Sequence, residues 1–326
     1  MVRRRALLRT GGLALLATPR LVRAQRSGTR RIGFLGGASA SGYTALVEAF
    51  VLGLRDHGYV SGKNVAIEYR WADGKYDRLP ALAAELVGLK VDVIVTQGTP
   101  AALAAKRATP TIPIVMAIVG NPVESGIVAS YARPGGNVTG SSFFWSELNA
   151  KRLEFLKILM PSLVRAGLLI NSDNPAMTSM VTAMEERARA LKVNLQVLRA
   201  RRLEDLEPVF QSAQKQIEAL TLPEDGLFLA NAGRLADLAI KHRMPSIGFE
   251  EYCDAGGLLA YGVDFAHIWR QSGVLVDKIF KGAKAGDLPI QQATRFQLVV
   301  NLKTATALGL TMTPEILARA DRAIGG

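Results

Sequence analysis

The 326-residue sequence predicts an α/β fold: two Rossmann-like, doubly wound parallel-sheet lobes joined by a hinge of three chain crossovers. Three observations predict it. Short apolar runs alternate with amphipathic stretches from residue 30 onward. The alternation fills two successive lengths of about 110 residues, each enough for one doubly wound unit. The remainder is less regular and suits a chain that recrosses from one lobe to the other. The expected lobes are 30–143 with about 263–286, and 144–262 with about 287–326.

In the first series, Arg31-Ile32-Gly33-Phe34-Leu35 reads as a strand. Residues 44–57 follow as a helix, with Leu46, Val47, Phe50, Val51 and Leu54 at helical spacing up to Gly58. Asn64 to Tyr69 is the second strand, and 77–88 a helix carrying Leu79, Leu82, Ala83 and Leu86 on one side. Val91 to Val95 is a third strand, 100–107 a short helix, Ile112 to Met116 a fourth strand, and a helix is expected from about Pro122. The second series runs helix 147–160, strand 166–170, helix 175–191 and strand 194–198. It continues with helix 203–219, strand 226–230, helix 232–242 and strand 245–248. The tail offers a strand over 256–261, an amphipathic helix over 265–282, a strand over 296–300 and a helix over 302–308.

Residues 1–24 read as an export signal. Arg3, Arg4, Arg5 and Arg9 form a basic start, Gly11 to Ala17 is apolar, and Val22-Arg23-Ala24 presents small residues for cleavage before Gln25. Arg4-Arg5-Ala6-Leu7-Leu8-Arg9 matches a twin-arginine signal with arginine in the lysine place; a plain Sec signal is the alternative. No cysteine lies near the cleavage point, so no lipid anchor is expected, and no later segment has the roughly 18 apolar residues of a membrane span. The expected location is the periplasm. Removing six arginines lowers the net charge from +12 to +6. The remaining basic residues are scattered, which argues against a nucleic-acid-binding face.

Four strand-to-helix junctions share one chemistry: Gly36 to Gly42, Gln97-Gly98-Thr99-Pro100, Gly120-Asn121-Pro122, and Asn171-Ser172-Asp173-Asn174-Pro175. Each joins small or glycine residues to a capping side chain, and three carry proline at the first helical position. Such turns stand at the carboxyl edge of a parallel sheet, where helix N–H groups favour electron-rich ligand atoms. Any one loop would want a cap without a ligand; four on two facing lobes point to a binding crevice. The residues expected to meet a ligand are Ser39, Ser41, Tyr43, Gly98, Thr99 and Asn121 from the first lobe. Asn174, Asn231, Phe249 and Glu250 come from the second, with Asp264 near a crossing. Tyr43, the run Phe143-Phe144-Trp145 and Phe249 are candidates to stack on a flat solute.

Other chemistries find little support. Gly37 to Thr44 has the glycine spacing of a phosphate loop but Tyr43 in the lysine place, and no GxGxxG occurs. His57, His242 and His267 lie apart without metal-ligand spacing, and no GxSxG elbow is present. Cys253 is the single cysteine, flanked by acids that discourage a thiolate, and reads as structural. No catalytic residue, metal or cofactor is expected.

The motifs IGFLGG, GYVSGKNVAIEYRWADGKYDRLPALAAELV, GNPVESGIVASYARPGGNVTG, AGGLLAYGVD and NLKTATALGLTMTPEILARAD resemble the ABC-transporter substrate-binding proteins of the tryptophan/tyrosine-binding-like group. The resemblance covers nearly the whole chain beyond the export signal. It implies a type I periplasmic binding protein fold and a monomer that closes on a small organic solute, an amino acid or an aromatic or carboxylate compound. It also implies delivery to an inner-membrane ABC permease. A receptor feeding a sensor, and an enzyme on the same lobes, are the alternatives. Two departures stand out: Asn121 where the family has aspartate in GDPV, and Asp264 where it has an amide in YGPN. If both faced the cleft, an acid would have moved between lobes and altered specificity.

Overall fold

The computed structural model describes residues 29–325; the export-signal segment 1–24 lies outside them. In chain order the first series is β1 (Arg30–Gly36), α1 (Thr44–Asp56), β2 (Val65–Trp71), α2 (Leu79–Gly88), β3 (Val93–Gln97), α3 (Gly98–Ala108), β4 (Ile114–Val119) and β5 (Val138–Ser142). The second is α4 (Trp145–Leu159), β6 (Arg165–Asn171), α5 (Met177–Ala190), β7 (Asn194–Ala200), α6 (Leu206–Ala213), β8 (Ala219–Thr221), α7 (Gly226–Ala230), α8 (Ala232–Lys241), β9 (Ser246–Gly248), α9 (Glu250–Asp254) and β10 (Leu259–Val263). The tail holds α10 (Phe265–Phe280), β11 (Gln291–Gln292), β12 (Phe296–Asn301), α11 (Leu302–Leu308), α12 (Pro314–Arg319) and β13 (Arg322–Ile324).

Two sheets result, in the orders β11-β5-β4-β3-β1-β2 and β13-β12-β10-β9-β8-β6-β7. Every pairing is parallel except β10 with β12. The strand order reverses beside β1 in the first sheet and beside β6 in the second. At such switch points neighbouring loops part in opposite directions and leave a crevice at the carboxyl edge. Both sheets are covered on both faces, so their central strands are apolar throughout, as in the fully buried β3 and β4. Ile32, Phe34 and Val95 face α1 and α10, whereas Leu35, Ile94 and Met116 face α2 and α3.

The chain passes between sheets three times, at 142–145, 263–265 and 292–296. Helix α10 thereby returns to the first sheet and packs on α1 at very short range. A Cβ on Gly53 would stand 2.0 Å from the Arg270 carbonyl oxygen, and one on Gly273 only 2.4 Å from the Gly53 carbonyl carbon. Only glycine permits that approach.

Several expected elements differ. Gly226 to Ala230 is a helix, because Oδ1 of Asp225 accepts a 2.9 Å hydrogen bond from Leu227 N and caps it. The strand of that unit is β8, which starts at Ala219, where the stretch read as helix 203–219 ends; α6 itself stops at Ala213. No helix follows Pro122, where the chain folds into turns closed by Ser125 N to Asn121 O and Ile127 N to Pro122 O. The short strand β11 pairs with β5, so the last crossing falls after residue 292 and not near 287. Strand β5, hidden between Gly136 and Phe143, and the closing pair α12 and β13 were not foreseen.

Candidate functional site

The carboxyl edges of the two sheets face one another across a narrow cleft. Its first wall is Gly37, Tyr43, Tyr76, Gln97, Gly98, Thr99 and Gly120. Its second wall is Asn174, Glu224, Asp225, Gly226 and Leu229, and Phe143, Trp145, Phe265 and Trp269 close the crossover end. The contributing loops follow β1, β2, β3 and β4 of the first sheet and β6 and β8 of the second, the strands at and beside the two switch points. Topology, not proximity in sequence, brings these residues together.

On the first wall Gln97 organises the loops. Its side-chain carbonyl accepts from Gly37 N at 3.0 Å and its amide donates to the Tyr43 hydroxyl at 3.1 Å. Gly98 then takes φ +79°, which a glycine adopts freely, and the chain turns directly into α3. No side chain caps α3, so its first-turn N–H groups keep their hydrogen-bonding capacity at the cleft.

On the second wall Asp225 is buried and carries the site's charge. Oδ1 accepts from Asn171 Nδ2 and Leu227 N, both at 2.9 Å, and Oδ2 from Asn174 Nδ2 at 2.9 Å and the Tyr76 hydroxyl at 3.1 Å. All four donors are neutral. Burial raises the pKa of this carboxyl above the usual carboxylate range, against the pull of those donors. Burial, and then the Asp225 charge, push both Tyr43 and Tyr76 well above the ordinary phenol value. The neighbouring Glu224 differs, because the fully buried Arg152 pairs with it through both terminal guanidinium nitrogens. Arg152 also donates to the carbonyls of Leu222 (2.9 Å) and Tyr261 (2.8 Å). Glu224 is thus neutralised and Asp225 is not, and the lining contains no lysine, arginine or histidine.

The lobes touch across the cleft. Besides the Tyr76–Asp225 hydrogen bond, a Cβ on Gly42 would lie 2.5 Å from Ala230 Cα.

Of the residues expected from sequence, Tyr43, Gly98, Thr99 and Asn174 line the cleft. Ser39 and Asn231 lie in an outer groove with Asp73, Arg201 and Arg202. Ser41 is exposed; its hydroxyl pairs with that of Ser39 at 3.4 Å, and its carbonyl accepts from Thr44 Oγ1 at 3.3 Å. The side chain of Asn121 is engaged locally: Oδ1 accepts from Glu124 N and the Tyr131 hydroxyl, and Nδ2 donates to Glu124 Oε2. Phe249 is 0% exposed in the core of the second lobe, against Tyr252. Glu250 pairs with Arg322 at 3.0 Å, and Asp264 caps α10 by accepting from His267 N. These two border a separate acidic groove. With neither Asn121 nor Asp264 on the cleft wall, the expected transfer of an acid between lobes is not realised.

Tyr76, Gln97, Glu224, Asp225 and Trp269 were missed. The one available signal was Leu222-Pro223-Glu224-Asp225-Gly226, a turn-forming stretch with two acids, obscured by placing a strand just after it. Burial pushes the Cys253 thiol up to about 12, which disfavours the thiolate. Among the described residues no cluster of histidine, cysteine or acid side chains could hold a metal ion, and no helix is long and apolar enough to cross a membrane.

The profile of the ABC transporter substrate binding protein family matches residues 36–324. A tyrosine-binding protein of Clostridioides difficile (strain R20291) is 30% identical over 266 residues, covering 81% of this chain and 76% of that one. The ABC domain in complex with L-Trp from Streptococcus pneumonia aligns with a TM-score of 0.84 at 23% identity, over 91% of this chain and 100% of that one. The ligand-free, open structure of a substrate binding protein from Clostridium difficile covers the same shares at 25% identity, with a TM-score of 0.63. With two crossover-linked parallel-rich sheets and a family match across nearly all the described residues, the chain belongs to the ABC transporter substrate-binding proteins and has their type I periplasmic binding fold.

Proposed function

We propose that this protein is the exported receptor of an ABC importer, and that it closes its two lobes on an aromatic amino acid for delivery to a membrane permease. The carrying observation is the buried Asp225 carboxylate, which has four hydrogen-bond donors and no cation. A buried charge without a counter-ion is costly, and a ligand ammonium is the partner that relieves it. Opposite, the uncapped start of α3 at Gly98 and Thr99 suits a carboxylate. Phe143, Trp145, Phe265 and Trp269 suit an aromatic side chain. An aromatic acid without an amine would leave Asp225 uncompensated and would itself meet no cationic side chain.

The lobe contacts favour reading this arrangement as the closed state. The higher TM-score against the L-Trp complex than against the open structure agrees. Ligand would bind the two half-sites together only in this state and so shift the population toward it. The permease would then recognise the closed outline.

Thermal-shift measurements on the purified chain test the proposal with aromatic amino acids, their N-acetyl derivatives and matching benzoates. A bound amino acid at a hundredfold excess over its Kd stabilises by about 2.7 kcal/mol. The N-acetyl forms and benzoates should give no shift. A shift with benzoates alone would overturn the role given to Asp225.

A further inference from the structure

The edge of the first lobe opposite the cleft gathers charge that is dispersed along the chain. Strands β1, β2 and β3 are parallel neighbours, so all three start at this edge, and α10 ends there against Arg30. Contacts join the segments. Arg30 N donates to Asn64 O at 3.0 Å, the Arg30 guanidinium lies 5.2 Å from the centre of the Phe280 ring, and the Arg31 guanidinium donates to Leu89 O at 3.1 Å. Residues 30–31, 57–64, 89–92 and 277–287 thus form one surface. They carry seven lysines and arginines against Asp92, Asp277 and Asp287. The resulting +4 compares with +6 for the entire chain beyond residue 24.

The two arginines are engaged: Arg30 pairs with Asp92 at 3.5 Å, and Arg31 holds the Leu89 carbonyl. Lys281 pairs with the buried Asp277 at 2.8 Å. Lys63, Lys90, Lys278 and Lys284 are exposed and make no ion pair among the described residues. The partial charge of a helix C-terminus accounts for Lys278 at the end of α10. It does not account for Arg30, Arg31 and Lys63, which open or precede strands.

The free cations are therefore lysines, compact hydrated charges on flexible stems. They suit diffuse attraction and not the oriented, bidentate recognition that arginine gives. A layer of anionic lipid headgroups attracts such a surface without needing any single contact. From this we infer that the edge is an interaction surface for an anionic lipid bilayer, on which the protein rests with its cleft, at the other edge of the same sheet, clear of the lipid. The inference holds whatever solute the cleft takes.

Co-sedimentation of the purified protein with vesicles tests it, using mixed phosphatidylglycerol–phosphatidylcholine vesicles and vesicles of phosphatidylcholine alone. Partition onto the mixed vesicles should be at least tenfold stronger than onto the neutral ones and should weaken as salt rises. Lys63→Glu/Lys278→Glu/Lys284→Glu should reduce it at least tenfold. The neutralising variant Lys63→Gln/Lys278→Gln/Lys284→Gln should show a smaller loss in the same direction. Arg189→Glu/Arg199→Glu/Lys215→Glu makes the same charge change at exposed positions of the second lobe and should lose less than threefold. Thermal unfolding of each variant controls for folding. Equal partition onto the two vesicle types, or equal loss in the two reversed variants, would overturn the inference. So would tighter binding to duplex DNA than to the mixed vesicles at matched phosphate concentration, which would make the surface a nucleic-acid face.

Discussion

The Tyr76 hydroxyl, on the first lobe, donates a 3.1 Å hydrogen bond to Oδ2 of Asp225 on the second. Both groups are buried, and the bond is a direct polar tie between lobes. On the closing motion proposed above it would form only in the closed state, and so would stabilise that state without touching the fold of either lobe. Tyr76→Phe should therefore leave the unfolding temperature of the ligand-free chain nearly unchanged. Loss of a hydrogen bond to a charged acceptor costs about 1–3 kcal/mol, so affinity should fall roughly five- to a hundredfold, mostly through faster dissociation. Stopped-flow fluorescence on the cleft tryptophans reads this directly. Unchanged dissociation would mean that the tie does not govern opening.

Asp225→Asn separates charge from geometry. Asparagine caps a helix as well as aspartate, so α7 should persist. One face of the amide would confront the Asn171 or Asn174 donor, a local cost the Tyr76 hydroxyl can partly offset by turning to accept. The negative charge is gone in any arrangement. Removing one partner of a buried charge pair costs about 2–5 kcal/mol, so amino-acid affinity should drop at least thirtyfold by calorimetry. An affinity within threefold of wild type would show that the ammonium sits elsewhere.

The doubly wound sheets were legible because burial on two faces writes itself as apolar runs such as Val93–Val95 and Ile114–Val119. Gly98, Thr99 and Asn174 were legible for a related reason: a strand end followed by a cap marks the carboxyl edge. Asp225 was not, because Gly226-Leu227-Phe228-Leu229-Ala230 is apolar at every position and has no period to separate helix from strand. Placing a strand there moved the edge past Asp225. Tyr76 and Trp269 were illegible on other grounds. Each reaches the cleft from an element distant in sequence from its neighbours, and pairing at such range leaves no local pattern. Ser39, Asn121 and Asn231 carry the right chemistry on the right loops but sit on the rim or bond locally.

The Arg152–Glu224 pair is a test of architecture beside the cleft. Arg152 is 0% exposed and ties α4 to the backbone at Leu222 and Tyr261 as well as to Glu224. Breaking a buried pair leaves the other charge stranded and costs about 3–5 kcal/mol. Glu224→Gln and Arg152→Met should each destabilise the chain by that order in urea unfolding. The double variant should be less destabilised than the sum of the two, since no lone charge remains. Strict additivity would mean that the two side chains act independently.

Glu251 makes stability depend on pH. Its Oε2 has no partner, and burial, reinforced by Glu250, Glu224 and Asp254, raises its pKa from the model-peptide 4.5 to about 7. Its own backbone N–H opposes the shift but does not cancel it. A carboxyl with a folded-state pKa above its unfolded value favours the native state while neutral. That contribution is whole below about pH 4.5 and is lost as pH rises through about 7, with a ceiling of ~3 kcal/mol. Between pH 5.5 and 8.5 the urea midpoint of the wild-type chain should fall. Glu251→Gln, which fixes the neutral shape, should flatten that slope and be the more stable protein at pH 8.5. A wild-type slope retained in Glu251→Gln would assign the pH dependence to another group, for which Asp225, also raised by burial, is the next to replace.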